Sequence, residues 1–216
     1  SEGIASENIH VVGNTVIDAL LDSSLRIDSN DMNLAFSESL PFKLSQSKYI
    51  LITGHRRENF GRGIKEICDA LKILSKMHPD VYFVYPVHLN PNIKLVVDDA
   101  LAGMKNIFLL KPQSYDRFIY LMSNCFLILT DSGGIQEEAP SLNKPVLLMR
   151  NSTERPEGVS SGAVSIVGAS SDAIVTKVNE LMTDNELYSK MTNIQNPYGD
   201  GRASYIITEH LTKAYN

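Results

Sequence analysis

The 216-residue chain is long enough for one sizeable core, and its 43% hydrophobic and 21% charged residues exclude a disordered or fibrous protein. A formal net charge of −5 excludes a broad basic surface, so we predict no nucleic-acid partner and expect local groups to hold any anionic ligand. The sequence lacks an apolar run of about 18 residues and opens without a signal-peptide pattern, so we expect no membrane association and a cytoplasmic location.

The first 47 residues are the least regular part of the predicted structure. Residues 9–12 could form a strand and residues 15–21 a helix, but residues 28–47 are polar and interrupted by turn-forming residues. We therefore interpret residues 1–47 as a linker and the tail of a preceding domain. Residues 48–216 are predicted to form one domain.

Short apolar runs alternate with segments of helical period from residue 49 onward. The predicted strands are 49–53, 81–86, 107–110, 126–130, 146–149 and 164–167. The predicted helices are 63–77, 92–101, 115–124, 134–139, 172–182, 186–191 and 202–214. This order predicts an α/β fold with a doubly wound, Rossmann-like parallel sheet. Because ligands of such sheets bind beyond the carboxyl ends of the strands, the residues after each strand are the site candidates.

One candidate segment, Thr-Asp-Ser-Gly-Gly-Ile-Gln-Glu-Glu at residues 130–138, follows an apolar strand and opens a helix. Its two glycines place free amide groups at the positive end of the helix, which favours a phosphate. Glu138 lies one turn beyond Gly134, where its carboxylate could accept hydrogen bonds from two ribose hydroxyls. Together these features favour a nucleotide, and a capped helix after a tight turn is the alternative.

A second candidate segment, Gly-His-Arg-Arg-Glu-Asn at residues 54–59, follows the first strand of the sheet. His55 could donate to a phosphate when protonated, or transfer a proton near neutral pH. The competing interpretation is that at least one of Arg56 and Arg57 pairs with Glu58 on the surface.

Other candidates follow later strands. Arg155 could clamp a diphosphate as charge accumulates on it, or form a surface ion pair with Glu154 or Glu157. Gln113 and Phe118 could contact a uracil ring, although a lone phenylalanine is more typical of a core. His88 could bind a ligand or be structural, and because no residues have metal-ligand spacing we predict no metal.

Six segments carry a resemblance that spans nearly the whole chain. They are Gly-Asn-Thr-Val-Ile-Asp at 13–18, residues 54–59, Tyr-Pro-Val-His-Leu-Asn-Pro at 85–91, residues 130–140, Arg150 with Thr-Glu-Arg-Pro-Glu at 153–157, and Asn-Pro-Tyr-Gly-Asp-Gly at 196–201. In this order they resemble the motifs of non-hydrolysing UDP-N-acetylglucosamine 2-epimerases, which have the two-domain glycosyltransferase-B architecture. The resemblance implies interconversion of UDP-N-acetylglucosamine and UDP-N-acetylmannosamine without a cofactor, by elimination of UDP and its return to a 2-acetamidoglucal.

The resemblance also implies roles for the candidate residues. The UDP-binding residues would be Ser132, Gly133 and Gly134 on the diphosphate, Glu138 on the ribose, and Gln113 and Phe118 on the uridine. His55 and Arg155 would meet the diphosphate during bond cleavage. Arg56 and His88 match positions that contact a second, activating UDP-N-acetylglucosamine.

Members of this family are much longer than the chain, so the resemblance implies a missing N-terminal domain that carries the proton-abstracting groups. We therefore expect binding of UDP and UDP-N-acetylglucosamine without turnover. An apolar face around Tyr205, Ile206 and Leu211 would be left uncovered and would favour homo-oligomerisation. The alternatives are a UDP-sugar-dependent glycosyltransferase domain, a non-catalytic UDP-sugar-binding module, and an epimerase that releases free UDP.

Overall fold

A six-stranded sheet is the centre of the fold in the computed structural model, which describes residues 3–27, 31–40 and 42–215. The strands are β1 (Tyr49–Thr53), β2 (Tyr82–Pro86), β3 (Ile107–Leu110), β4 (Leu127–Thr130), β5 (Val146–Leu148) and β6 (Val164–Ile166). The α-helices of the described residues are α1 (Thr15–Ile27), α2 (Asp31–Ser39), α3 (Arg62–Met77), α4 (Pro91–Leu101), α5 (Tyr115–Asn124), α6 (Gly133–Glu138), α7 (Pro156–Ser160), α8 (Ser171–Thr183), α9 (Asn185–Thr192) and α10 (Ala203–Tyr215).

The strands are all parallel and lie in the order β3-β2-β1-β4-β5-β6. This order confirms the predicted doubly wound, Rossmann-like sheet, and each predicted strand is present to within one residue at either end. The winding changes direction between β1 and β4, where Thr53 is in register with Thr130. The loops after these two strands therefore leave the sheet side by side at its topological switch point.

The strands read as continuous apolar runs because both faces of the sheet are covered. Side chains alternate between two cores: Ile50 and Ile52 pack with α3, α4 and α8, whereas Tyr49 and Leu51 pack with α1, α2 and α5. All four are fully buried. Burial of a large side chain contributes about 1.5–3 kcal/mol, so these two cores are the main stabilising feature of the fold.

The segment before the sheet differs from its prediction. The strand predicted at residues 9–12 is wrong, because these residues form no regular structure and Val11 is 96% exposed. The helix predicted at residues 15–21 is confirmed and continues to Ile27. The predicted linker contains α2, where Phe36 is buried against the sheet. Residues 28–30 and 41 of that linker lie outside the described residues, and the domain boundary at residue 47 remains a prediction.

The last helix lies beside the first one. The carboxylate of Asp18 accepts hydrogen bonds from the first amides of α10, those of Ala203 at 3.2 Å and Ser204 at 2.7 Å. The predicted exposure of its apolar face is confirmed for Tyr205, which is 56% exposed, and for Leu211, which is 53% exposed, but not for Ile206, which is half-buried. None of the helices in the described ranges is long and apolar enough to cross a membrane.

The two chain segments that lead to these helices touch each other. A Cβ on Gly13 would lie 3.4 Å from the Cα of Gly199, and the amide of Asn14 donates to the carbonyl of Tyr198 at 2.7 Å. Both glycines have positive φ, at 90° and 143°. Glycine is therefore the residue suited to both positions, for its backbone conformation and for the close approach.

A buried asparagine fixes the edge of the sheet. The side-chain amide of Asn106 donates to the carbonyls of Ser75, His78 and Val81 at 2.9–3.2 Å. We predict that Asn106→Ala lowers the free energy of unfolding by about 2 kcal/mol, because the two amide hydrogens that these three carbonyls share in a buried site are lost. The exposed Asn124→Ala is the control and should change it by less than about 0.5 kcal/mol. Urea denaturation followed by circular dichroism measures both, and equal effects would contradict the prediction.

Candidate functional site

The buried carboxylate of Asp131 joins the two loops at the switch point. It follows β4 directly, is 1% exposed, and accepts the backbone amide of His55 at 3.0 and 3.1 Å. It also accepts the amide of Arg56 at 2.9 Å and the side-chain amide of Asn59 at 3.1 Å. These charge-assisted bonds fix the loop after β1 against the loop after β4.

The glycine turn lies immediately beside that carboxylate. The amide of Ser132 donates to Oγ1 of Thr130 at 3.0 Å, and α6 begins at the next residue. The Ser132 side chain makes no capping hydrogen bond within the described structure, which argues against the simple capped-helix interpretation. A Cβ on Gly133 would lie 3.6 Å from Nη2 of Arg56. The start of α6 therefore combines unpaired helix amides with a neighbouring guanidinium, and both favour an anion.

Glu138 is held one turn along the same helix. Its side chain is buried, and its Oε1 accepts a hydrogen bond from the Tyr115 hydroxyl at 2.7 Å. Burial raises the pKa of Glu138, the bond from Tyr115 offsets part of this increase, and the neighbouring Glu137 adds to it. Further hydrogen-bond donors would stabilise the ionised form of this buried carboxylate, and the hydroxyls of a ligand are suitable donors.

Five of the predicted site residues line one cleft of about 220 Å³: His55, His88, Gln113, Phe118 and Ser132. The rings of His55 and His88 stack with their centroids 5.7 Å apart. Nδ1 of His88 accepts the amide of Asn90 at 3.1 Å, which leaves its Nε2 to carry the proton of the neutral ring. The side chain of Gln113 donates to the carbonyl of Lys111 at 2.6 Å.

Arg155 lines a different cavity, of about 710 Å³, together with Asn14 and Tyr198. Its Nε donates to the carboxylate of Glu137, which is nearly buried. The alternative prediction, an ion pair of Arg155 with Glu154 or Glu157, is therefore wrong. Arg155 does not line the cleft formed by His55, His88, Gln113, Phe118 and Ser132.

Arg150 forms ion pairs with Glu58 and Glu154, two acidic residues that were predicted to pair with other arginines. It is 5% exposed, and its Nε donates to Glu58 at 2.5 Å, so the predicted pairing of Glu58 with Arg56 or Arg57 is wrong. Its two terminal nitrogens donate to the carboxylate of Glu154 at 2.8 and 2.9 Å. These hydrogen bonds lower the pKa of Glu154 to about 2. Arg150 thus links the loop after β1 to the loop after β5.

Three residues that shape the site had no predicted role: Asp131 and Glu137, which lie within the predicted segment 130–138, and Tyr115. An acid directly after a fully apolar strand is a signal for a buried carboxylate, so Asp131 could have been found. Tyr115 and Glu137 give no such signal, because their partners lie 23 and 18 residues away in the sequence.

The sheet order defines an α/β half of the glycosyltransferase-B type, with the candidate site at its switch point. The C-terminal domain of a glycosyl transferase group 1 family protein from Francisella tularensis has the same fold, with a TM-score of 0.55 at 19% identity over 84% of this chain and 93% of that one. That likeness shows the fold alone.

Closer relatives show the family. The model of the UDP-N-acetylglucosamine 2-epimerase family matches residues 1–212. The UDP-N-acetylglucosamine 2-epimerase of Escherichia coli K12 is 50% identical over 211 residues, which are 97% of this chain and 56% of that protein. The UDP-GlcNAc 2-epimerase of Neisseria meningitidis bound to UDP-GlcNAc has a TM-score of 0.93 at 48% identity, over 98% of this chain and 57% of that one. The chain belongs to this family, as predicted, and spans about half the length of these relatives.

The raised pKa of Glu138 predicts a pH-dependent stability. The ionised form is disfavoured in the folded state, so stability is lost as pH rises from the unfolded pKa, near 4.3, through the raised folded pKa. We predict that Glu138→Gln, which keeps the acceptor for Tyr115, unfolds at higher urea concentration than the parent at pH 7. The difference should disappear below about pH 4, and parallel pH profiles would contradict it.

Proposed function

We propose that the chain is the UDP-binding C-terminal half of a non-hydrolysing UDP-N-acetylglucosamine 2-epimerase, which interconverts UDP-N-acetylglucosamine and UDP-N-acetylmannosamine. The observation that carries the proposal is the arrangement at the switch point. There α6 presents its first amides beside His55, and the buried carboxylate of Glu138 lies one turn further along the same helix. In this proposal residues 48–216 are the UDP-binding domain, and residues 1–47 connect it to the preceding half.

UDP lies along α6 in the proposed complex. Ser132, Gly133 and Gly134 donate backbone amides to the diphosphate, and Glu138 accepts the ribose hydroxyls. This order is supported by the run of the helix, because phosphate groups favour its positive end and the carboxylate lies deeper. The uridine contacts Gln113 and Phe118, which line the same cleft as Ser132.

The proposed reaction breaks the bond between the sugar and UDP and then remakes it. Charge accumulates on the diphosphate as this bond breaks, so donors fixed in advance lower the barrier. His55 supplies one donor from the cleft, where its side chain is 45% exposed. Arg155 supplies the second from the other cavity. Retention of UDP between the two steps separates this reaction from hydrolysis.

Arg56 and His88 contact a second, activating UDP-N-acetylglucosamine in the proposal. Nε of Arg56 is buried and has no hydrogen-bond partner within the described structure, which supports a role in holding an anionic ligand. His88 stacks on His55, so a molecule bound at His88 would lie next to the catalytic ring.

The groups that move the proton at C2 of the sugar belong, in this proposal, to the other half of the enzyme. The relatives are nearly twice as long as the chain, which supports a second half. The exposed Tyr205 and Leu211 supply apolar surface for it. The chain alone therefore binds UDP without forming the epimer.

Calorimetric titration of the chain with UDP tests the proposed site. We predict binding that is lost in Ser132→Trp, because an indole would fill the space before α6. Glu138→Ala should weaken it by about tenfold or more, because the ribose loses its charged acceptor. Ser189→Trp is the control, since Ser189 is exposed on α9. If the parent does not bind UDP, or if both tryptophan variants bind it equally, the site is wrong.

An NMR assay for the C2 epimer tests the activity. The full-length enzyme should convert UDP-N-acetylglucosamine to its epimer, and the chain alone should not. Glycosyl transfer without epimerisation, or release of stoichiometric UDP, would replace the proposal by a transferase or a hydrolysing enzyme. Epimer formed by the chain alone would show that its own residues suffice for the chemistry.

A further inference from the structure

Glu137 lies next to the proposed ribose carboxylate but faces the other cavity. Its side chain is 11% exposed. Oε1 accepts Nε of Arg155, and Oε2 accepts the side-chain amide of Asn14 at 2.8 Å. Its backbone carbonyl also accepts the side-chain amide of Asn196 at 2.8 Å. The carboxylate thus joins the loop after β5 to the segment that precedes α1.

Only an ionised carboxylate satisfies this arrangement, because both of its side-chain partners are donors. Asn14 cannot turn its amide to offer an oxygen without loss, because its Oδ1 accepts the amide of Val16 at 3.0 Å. A glutamine at position 137 would direct its NH₂ group at either Arg155 or Asn14. One of the two hydrogen bonds would then be lost.

The same helix also fixes the backbone of Arg155. Thr153 accepts the amide of Arg155 at 3.0 Å and donates to Gln136, the residue before Glu137, at 2.6 Å. Nε of Arg155 donates to Glu137 and Nη1 donates to the carbonyl of Glu154 at 3.3 Å, so Nη2 is the nitrogen through which the guanidinium would meet a diphosphate. The hydrogen bond from Glu137 also raises the pKa of Arg155 and keeps it charged.

We propose that Glu137 is the positioning residue of Arg155, and that Asn14 holds Glu137 in place. Asn14 lies in the segment through which the other half would be joined, so the position of this arginine depends on that connection. The inference rests on the proposed function for its catalytic consequence, but the positioning itself can be measured in the chain alone.

NMR of the Arg155 Nε–H group in the chain measures the positioning. We expect a resolved, slowly exchanging signal in the parent and loss of that signal in Glu137→Ala, which removes the acceptor of Nε–H. The double variant Asn14→Asp with Glu137→Gln should keep the signal, because the carboxylate introduced at position 14 would accept from the amide introduced at position 137, and the oxygen of that amide would accept from Arg155. This exchange leaves the net charge unchanged. A signal that survives in Glu137→Ala, or that is lost in the double variant, would overturn the inference.

Kinetics of the full-length enzyme measure the consequence. We expect Glu137→Ala to lower kcat by about 100-fold, the order of loss for a displaced catalytic group, with KM within about twofold. Adding it to Arg155→Ala should cause no further loss, because Glu137 acts through Arg155. Glu157→Ala is the charge control, since this exposed residue lines the same cavity.

The outcomes separate the two proposals. If Glu137→Ala and Arg155→Ala lower kcat independently, Glu137 has a general structural role and the inference fails. If the parent enzyme forms no epimer, the proposed function fails, and the NMR signal of Arg155 still decides whether Glu137 positions it.

Discussion

The site depends first on the charge of Asp131. A carboxylate buried at the end of a central strand is costly unless donors surround it, and at this position they can come only from the adjacent loop. The amides of His55 and Arg56 and the side chain of Asn59 meet that demand. The compensation of one charge therefore determines the path of the loop, and with it the place of the imidazole and the guanidinium beside the start of α6.

The short helix α6 extends this constraint to the rest of the site. Its residues after the glycine turn serve different neighbours in succession: Gln136 binds Thr153, Glu137 binds Arg155, and Glu138 binds Tyr115. Three adjacent polar side chains are all buried here, and each has a specific partner. Burial of this kind lowers stability unless every partner is in place, so α6 favours a single arrangement of the surrounding loops.

The sequence predicts the sheet well and its surroundings less well, for physical reasons. Strands buried on both faces must be apolar throughout, which is why all six could be located. Residues 9–12 have the same apolar character but lie away from the sheet, and α2 depends on the tertiary contact of Phe36.

The ends of the strands likewise predicted where the site lies. The partners within the site were harder to predict. Arg155 and Glu58 were matched to charges nearby in the sequence, whereas the fold brings Glu137 to Arg155 from α6, and Arg150 to Glu58 from the loop after β5. For flexible surface groups, proximity in the sequence indicates which charges can pair. Inside a folded site, the topology of the sheet determines which charged side chains meet.

The contact between Gly13 and Gly199 has a consequence for how the first and last helices are held together. The two segments approach each other through main-chain atoms, so the backbone, and not side-chain packing, sets the spacing at the start of α1 and α10. A side chain at either glycine would force these segments apart and would stretch the hydrogen bond from the amide of Asn14 to the carbonyl of Tyr198.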